Sequence, residues 1–139
     1  MATSKVIYSG ELSTSATHLA SNSQIRTDAP TDNHGKGQAF SPTDLAATSL
    51  ASCMMTVMGI HAEGKGIDMK GTHAEVTKIM SSEGPRRIKG IVVDLVIMTA
   101  SPLDEKEKTI LERIARTCPV SLSLHPDVVQ DIRISFEVR

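Results

Sequence analysis

The sequence predicts an α+β fold in the order βββ-α-ββ-α-β. Three observations carry this. Two segments open with the same helix-start signal, Ser41-Pro42-Thr43-Asp44 and Ser101-Pro102-Leu103-Asp104. The segments before and between them are rich in β-branched residues and bounded by Gly, Pro, Ser and Asn. The last stretch alternates strictly between apolar and polar residues. With 139 residues, the chain is expected to form a single domain over residues 1–139. A chain of this size folds without needing a metal or a disulfide.

The elements follow in order. Lys5 to Tyr8, Glu11 to Leu19 and Gln24 to Thr27 read as three short strands. Asp28 to Gln38 contains Pro30, Asp32, Asn33, Gly35 and Gly37 and reads as a loop. The first helix has Ser41 as N-cap, Pro42 at its first position and Asp44 at its third, and is expected to end near Gly64 or Gly66. Between Leu45 and Ile60 the only ionisable side chain is the Cys53 thiol. A helix apolar on all faces predicts burial on all faces, by sheet or by a second subunit. Ile67 to Met80 and Arg87 to Thr99 read as long strands joined by a turn at Ser81 to Pro85. The second carries apolar residues on both faces and is expected to be an interior strand. The second helix opens at Ser101, and Ile110, Leu111, Ile114, Ala115 and Cys118 form its apolar stripe. In the final strand, Asp131 to Arg139, Ile132, Ile134, Phe136 and Val138 are expected to face inward.

Composition excludes several functions. Fifteen basic against sixteen acidic residues leave a net charge of −1, so no nucleic-acid partner is expected. Tyr8, Phe40 and Phe136 are the only aromatic residues, which argues against stacking platforms. The core must then be built from Ile, Val, Leu and seven Met, and an oligomer sharing a core is expected. Met1 to Ser9 has no apolar signal-peptide region, and Leu45 to Ile60 is too short and too polar for a bilayer span. A cytoplasmic protein with no membrane partner is the expectation. His18, His34, His61, His73 and His125 show no metal-ligand spacing, and no bound metal or cofactor is expected.

The residues with chemistry to offer are the two cysteines. Cys53 lies twelve residues past the N-cap, beyond the reach of the helix dipole. A reactive thiolate there needs a cation from elsewhere; otherwise Cys53 is a small buried hydrophobe. Cys118 precedes Pro119, and Pro at the start of a short helix over Val120 to Leu124 would make Cys118 its N-cap. The alternative is a core cysteine that ends a helix. If the two thiols meet, one can attack a peroxide and the other can close a disulfide; if they stay apart, that chemistry fails. Asp44 is either a site acid or only a helix cap. Arg26 is either the thiolate's cation or a solvent-facing strand residue.

Ser41-Pro42-Thr43-Asp44-Leu45-Ala46-Ala47 through Ala51-Ser52-Cys53, together with Cys118-Pro119-Val120-Ser121 and the element order, resembles the OsmC/Ohr family of thiol-dependent hydroperoxide reductases. The resemblance implies an intertwined homodimer whose sheets wrap two central helices. It implies Cys53 as the peroxidatic thiol, Cys118 as the resolving thiol, an organic hydroperoxide as substrate, and an external dithiol, lipoyl-type or thioredoxin-type, as reductant. The family's Glu ten residues before the first cysteine is Thr43 here, with Asp44 one position later. The family's Arg comes from the N-terminal strands, where Arg26 stands. A non-enzymatic OsmC-like stress or small-ligand-binding protein is the alternative, and a third reading makes the cysteines a structural pair.

Overall fold

The computed structural model describes residues 1–139. It separates into two compact units, Met1–Ala46 and Ala47–Arg139. The first unit holds an antiparallel three-stranded sheet of β1 (Ser4–Gly10), β2 (Ser13–His18) and β3 (Gln24–Asp28), in that order. β2 is shorter than the sequence suggests. Gly10, Glu11 and Leu12 all take positive φ and make the turn between β1 and β2. The Tyr8 hydroxyl accepts the Leu12 N–H at 3.2 Å across that turn. After β3 the chain runs as the expected loop, with one 3-10 turn at Thr31–Asn33.

That loop is tied to Asp28, a carboxylate only 2% exposed. Arg26 Nη2 reaches its Oδ2 at 2.8 Å, and the Gln38 N–H donates to the same oxygen at 3.0 Å. The Ser13 hydroxyl donates to Oδ1. The Arg26 and Ser13 hydrogen bonds hold the Asp28 carboxyl below the usual range against the effect of burial.

Helix α1 (Pro42–Gly64) starts as expected. The Asp44 N–H donates to Ser41 Oγ at 3.0 Å and the Ser41 N–H donates to Asp44 Oδ2 at 2.9 Å, a reciprocal capping box. The helix ends at Gly64, and Gly66 just beyond it has a φ of +68° that lets its N–H reach the Glu63 carbonyl and that of Ile67 reach Ala62. At 23 residues α1 is long and apolar enough to meet the length and composition of a bilayer span, a test that core helices of soluble proteins also meet.

In the second unit, β4 (His73–Met80), β5 (Ile88–Thr99) and β6 (Val129–Val138) form a sheet in that order. β5 is the interior strand, antiparallel to β4 and parallel to β6. Parallel neighbours need a crossover, supplied by α2 (Glu105–Arg116) and the short α3 (Pro119–Ser123). Ile91, Val93, Leu95 and Ile97 present one buried face of β5. Leu50, Met54 and Met58 of α1, Leu111 and Ala115 of α2, and Ile132 of β6 join them in one core. Both helices therefore share the face of one sheet.

Several expectations are corrected. α1 is not buried all round within one chain: Leu50, Met54 and Met58 are covered, while Ile60 is 69% exposed. β4 begins at His73 instead of Ile67, because the α1 stop and a turn at Asp68–Lys70 occupy the intervening residues. β6 begins at Val129, two residues early, and Val138 at its far end is exposed instead of inward. The second Ser-Pro signal does not cap α2. Asp104 is the N-cap, its Oδ1 accepting the Glu107 N–H at 2.8 Å, while the Ser101 carbonyl accepts the Thr99 hydroxyl. We expect Asp104→Ala to cost about 1 kcal/mol of stability and Ser101→Ala less than about 0.5 kcal/mol. Urea midpoints measure both; the reverse order would return the cap to Ser101.

Candidate functional site

The two cysteines arrive from different elements of the second unit. Cys53 is half-buried, about three turns into α1, and packs against the core. Cys118 is 1% exposed and closes the connection between α2 and α3. Their side chains approach to 3.6 Å, and both are free thiols. A His61–Glu107 contact of 3.3 Å joins α1 to α2, the helices that lead to the two cysteines.

Cys118 is the N-cap of α3, as its position before Pro119 predicts. Its φ and ψ of −69° and 156° are extended, and Pro119 opens the helix. The Ser121 N–H donates to Cys118 Sγ at 3.4 Å. Ser121 is itself held by β6: its hydroxyl donates to Gln130 Oε1 at 2.6 Å, and Gln130 Nε2 donates to the Ser121 carbonyl at 3.0 Å. Gln130 was not read from the sequence. Its signal is the inward phase it shares with Ile132, Ile134 and Phe136, which becomes visible only when β6 begins at Val129.

Burial pushes the Cys118 thiol up. The Ser121 N–H opposes this, the hydrogen bond and charge of Cys53 push further upward, and the Val120 N–H opposes again. Cys118 therefore holds its proton, while two backbone donors stand ready for negative charge on its sulfur.

The other candidates are placed as follows. Asp44 belongs to the capping box, and Thr43 Oγ1 lies 3.2 Å from Ser41 Oγ in the same turn. Arg26 is paired with Asp28. His18 contacts Ser21, His73 the Gly71 carbonyl, and His125 the Asp127 N–H. A hollow of about 450 Å³ lies at the C-terminal end of α1 between Glu63, Gly66, Asp68 and Lys70, and neither thiol lines it.

An α+β fold with two free thiols in contact defines a dithiol protein. The chain belongs to the OsmC-like family, whose model matches residues 35–133. A crystal structure from Psychrobacter arcticus 273-4, named for osmotic stress induction and a detoxification response, is 54% identical. It covers 97% of this chain and 96% of its own, with a TM-score of 0.89. The organic hydroperoxide resistance protein OsmC of Legionella pneumophila is 18% identical over 97% of this chain and 98% of its own, with a TM-score of 0.69. A Vibrio cholerae organic hydroperoxide resistance protein with captopril in one active site is 15% identical over 96% and 92%, with a TM-score of 0.71. At the two lower identities the likeness is one of fold. No curated protein matches the chain.

The raised Cys118 thiol has a consequence for stability. Below the unfolded thiol's pKa, about 8.5, both states hold the proton and the contribution of the neutral buried thiol is complete. It is lost as pH rises through the raised folded value. We expect the wild-type urea midpoint to fall between about pH 8 and pH 10, and the Cys118→Val midpoint to fall less. Equal alkaline slopes would contradict a raised Cys118.

Proposed function

We propose that the protein is a thiol-dependent peroxidase that reduces organic hydroperoxides, with Cys53 as the attacking thiol and Cys118 as the resolving thiol. The observation that carries this reading is the 3.6 Å approach of the two free thiols. Membership of a family whose structural neighbours include organic hydroperoxide resistance proteins supports it.

The steps balance as follows. The Cys53 thiolate attacks the outer peroxide oxygen; the O–O bond breaks, and the alkoxide takes a proton and leaves as the alcohol. Cys53 is then a sulfenic acid. Cys118 attacks its sulfur, the S–O bond breaks, and water leaves with the Cys118 proton. An external dithiol reduces the resulting disulfide by exchange, and the departing Cys118 thiolate is received by the Ser121 and Val120 N–H groups. The core side chains around Cys53 favour an alkyl substituent on the peroxide. A cycle that begins from two reduced thiols suits a reducing compartment, and a cytoplasmic protein is part of this reading.

The working form in this reading is a homodimer. The first unit buries Thr27, Asp28 and Ser41 but leaves Val6 61% and Tyr8 64% exposed, with Ile7 and Ile25 also open. A second copy covering these side chains and the open face of α1 would supply the core that one chain lacks.

Cumene hydroperoxide tests the mechanism. One equivalent is expected to remove both thiols of the wild type and form an intramolecular Cys53–Cys118 disulfide, seen by peptide mass. Cys53→Ser is expected to show no turnover with a dithiol reductant. Cys118→Ser is expected to be oxidised once and then to stall. Two thiols surviving the peroxide would overturn the reading in favour of a non-enzymatic OsmC-like binding protein. For the dimer, light scattering is expected to give twice the chain mass, and a monomer would sink that part.

A further inference from the structure

We propose that Cys53 and Cys118 form a chelating site for monosubstituted trivalent arsenicals, R–As(OH)2, held as a cyclic dithioarsenite. The proposal does not rest on peroxidase activity; it needs only the geometry of the thiol pair. The two side chains lie 3.6 Å apart with no disulfide between them. A trivalent arsenic carrying one organic group has two remaining valences, and its pyramidal bonds set two sulfurs side by side at about contact distance. The pair matches that bite without backbone movement.

Other thiophilic ligands fit less well. A soft ion that prefers linear coordination holds its two sulfurs on opposite sides, so the pair would have to open. Tetrahedral zinc needs further donors, and no group of three or more His, Cys, Asp or Glu side chains is placed to hold a metal. An arsenical with two open valences needs only the two thiols that are present.

The site is also organised in advance. Cys53 is fixed within α1 and Cys118 by its capping role at α3, which Ser121 and Gln130 secure. Cys53 is half-buried while Cys118 is closed to solvent, so entry is through Cys53. The Cys53 sulfur bonds to arsenic first, and one hydroxyl leaves as water with the thiol proton. Cys118 then repeats the exchange within the same molecule, releasing the second water. Two As–O and two S–H bonds break, two As–S bonds form, and arsenic stays trivalent. No oxidant or reductant takes part, and a neutral Cys118 is competent because its proton departs with the leaving oxygen. Ring closure is intramolecular, so the second bond benefits from a high effective concentration.

The test is titration of the reduced, full-length protein with phenylarsine oxide. One equivalent is expected to remove both thiols from a colorimetric thiol assay, and intact mass is expected to show one phenylarsenic per single chain. Dimercaptopropanol is expected to restore both thiols, while glutathione, a monothiol, leaves the adduct in place. Cys53→Ser and Cys118→Ser are each expected to bind at least about 100-fold more weakly. Two arsenicals per chain, an arsenic bridging two chains, or single-cysteine variants that bind like the wild type would overturn the proposal. If a variant does not fold, the wild-type stoichiometry and the dithiol-against-monothiol reversal decide alone. Chelation without oxidation by peroxide would uphold this site and remove the peroxidase reading; oxidation without chelation would do the opposite.

Discussion

The parallel pairing of β5 with β6 is the constraint on which the thiol pair depends. Antiparallel neighbours can be joined by a tight turn, but parallel ones need a crossover. Here the crossover is α2 and α3, and it returns over the face of the sheet that α1 already covers. α1 and the crossover touch at His61 and Glu107, and again where Cys53 of α1 meets Cys118 between α2 and α3. The buried face of β5 sets the depth of α1. With Ile91, Val93, Leu95 and Ile97 all closed to solvent, Leu50, Met54 and Met58 have one place to seat, and Cys53 is carried with them. The 3.6 Å approach is thus a product of strand topology and core packing more than of any bond between the cysteines.

That origin explains which parts were legible in the sequence. Local signals were legible where one stretch of backbone decides the outcome. The Ser41–Asp44 capping box, the stop at Gly66 and the N-cap role of Cys118 each involve residues within a few positions of one another. The apolar character of both faces of β5 likewise marked an interior strand. The same local signal failed at Ser101. Both segments read Ser-Pro-x-Asp, but the Thr99 hydroxyl engages the Ser101 carbonyl, and the helix starts only after Asp104. A motif of four residues does not encode that competition. The direction of β6 relative to β5 was not legible either, because the apolar alternation is the same for both directions. Gln130 was lost for a similar reason: strand boundaries blur where a polar residue occupies an inward position.

The two thiols are chemically unequal because their surroundings are. Cys118 is buried at a helix start, where burial and the nearby Cys53 favour the neutral thiol while the Ser121 and Val120 N–H groups favour the anion. A sulfur so placed resists ionising at rest but is well received when it must leave as an anion. Leaving-group quality matters in thiol–disulfide exchange because attack is directed to the sulfur whose partner departs more easily. Gln130 bears on this through Ser121, since its two hydrogen bonds fix the turn that aims the N–H at sulfur. The two sulfurs also differ in access: Cys53 is half-buried, and Cys118 is closed to solvent.

The first unit poses a different physical problem. A three-stranded sheet is stable when one face covers apolar side chains. Of the residues through Ser41, only Thr27, Asp28 and Ser41 are well buried, and all are polar. The Asp28 hub holds the loop by hydrogen bonds to Arg26, Ser13 and Gln38, yet such bonds contribute only about 0.5–3 kcal/mol each after the loss of water. They fix the conformation of the loop; they cannot replace a core. Val6, Ile7, Tyr8 and Ile25 carry the apolar surface that a core would use, and it stands open within the single chain. Covering it with another surface supplies hydrophobic stabilisation of about 25 cal/mol per Å². In the proposed dimer assembly and folding are one equilibrium, so stability rises with chain concentration. A substitution in β1 of the proposed dimer acts as an interface mutation as well as a strand mutation, and its cost depends on concentration where that of a core residue in β5 would not to the same degree.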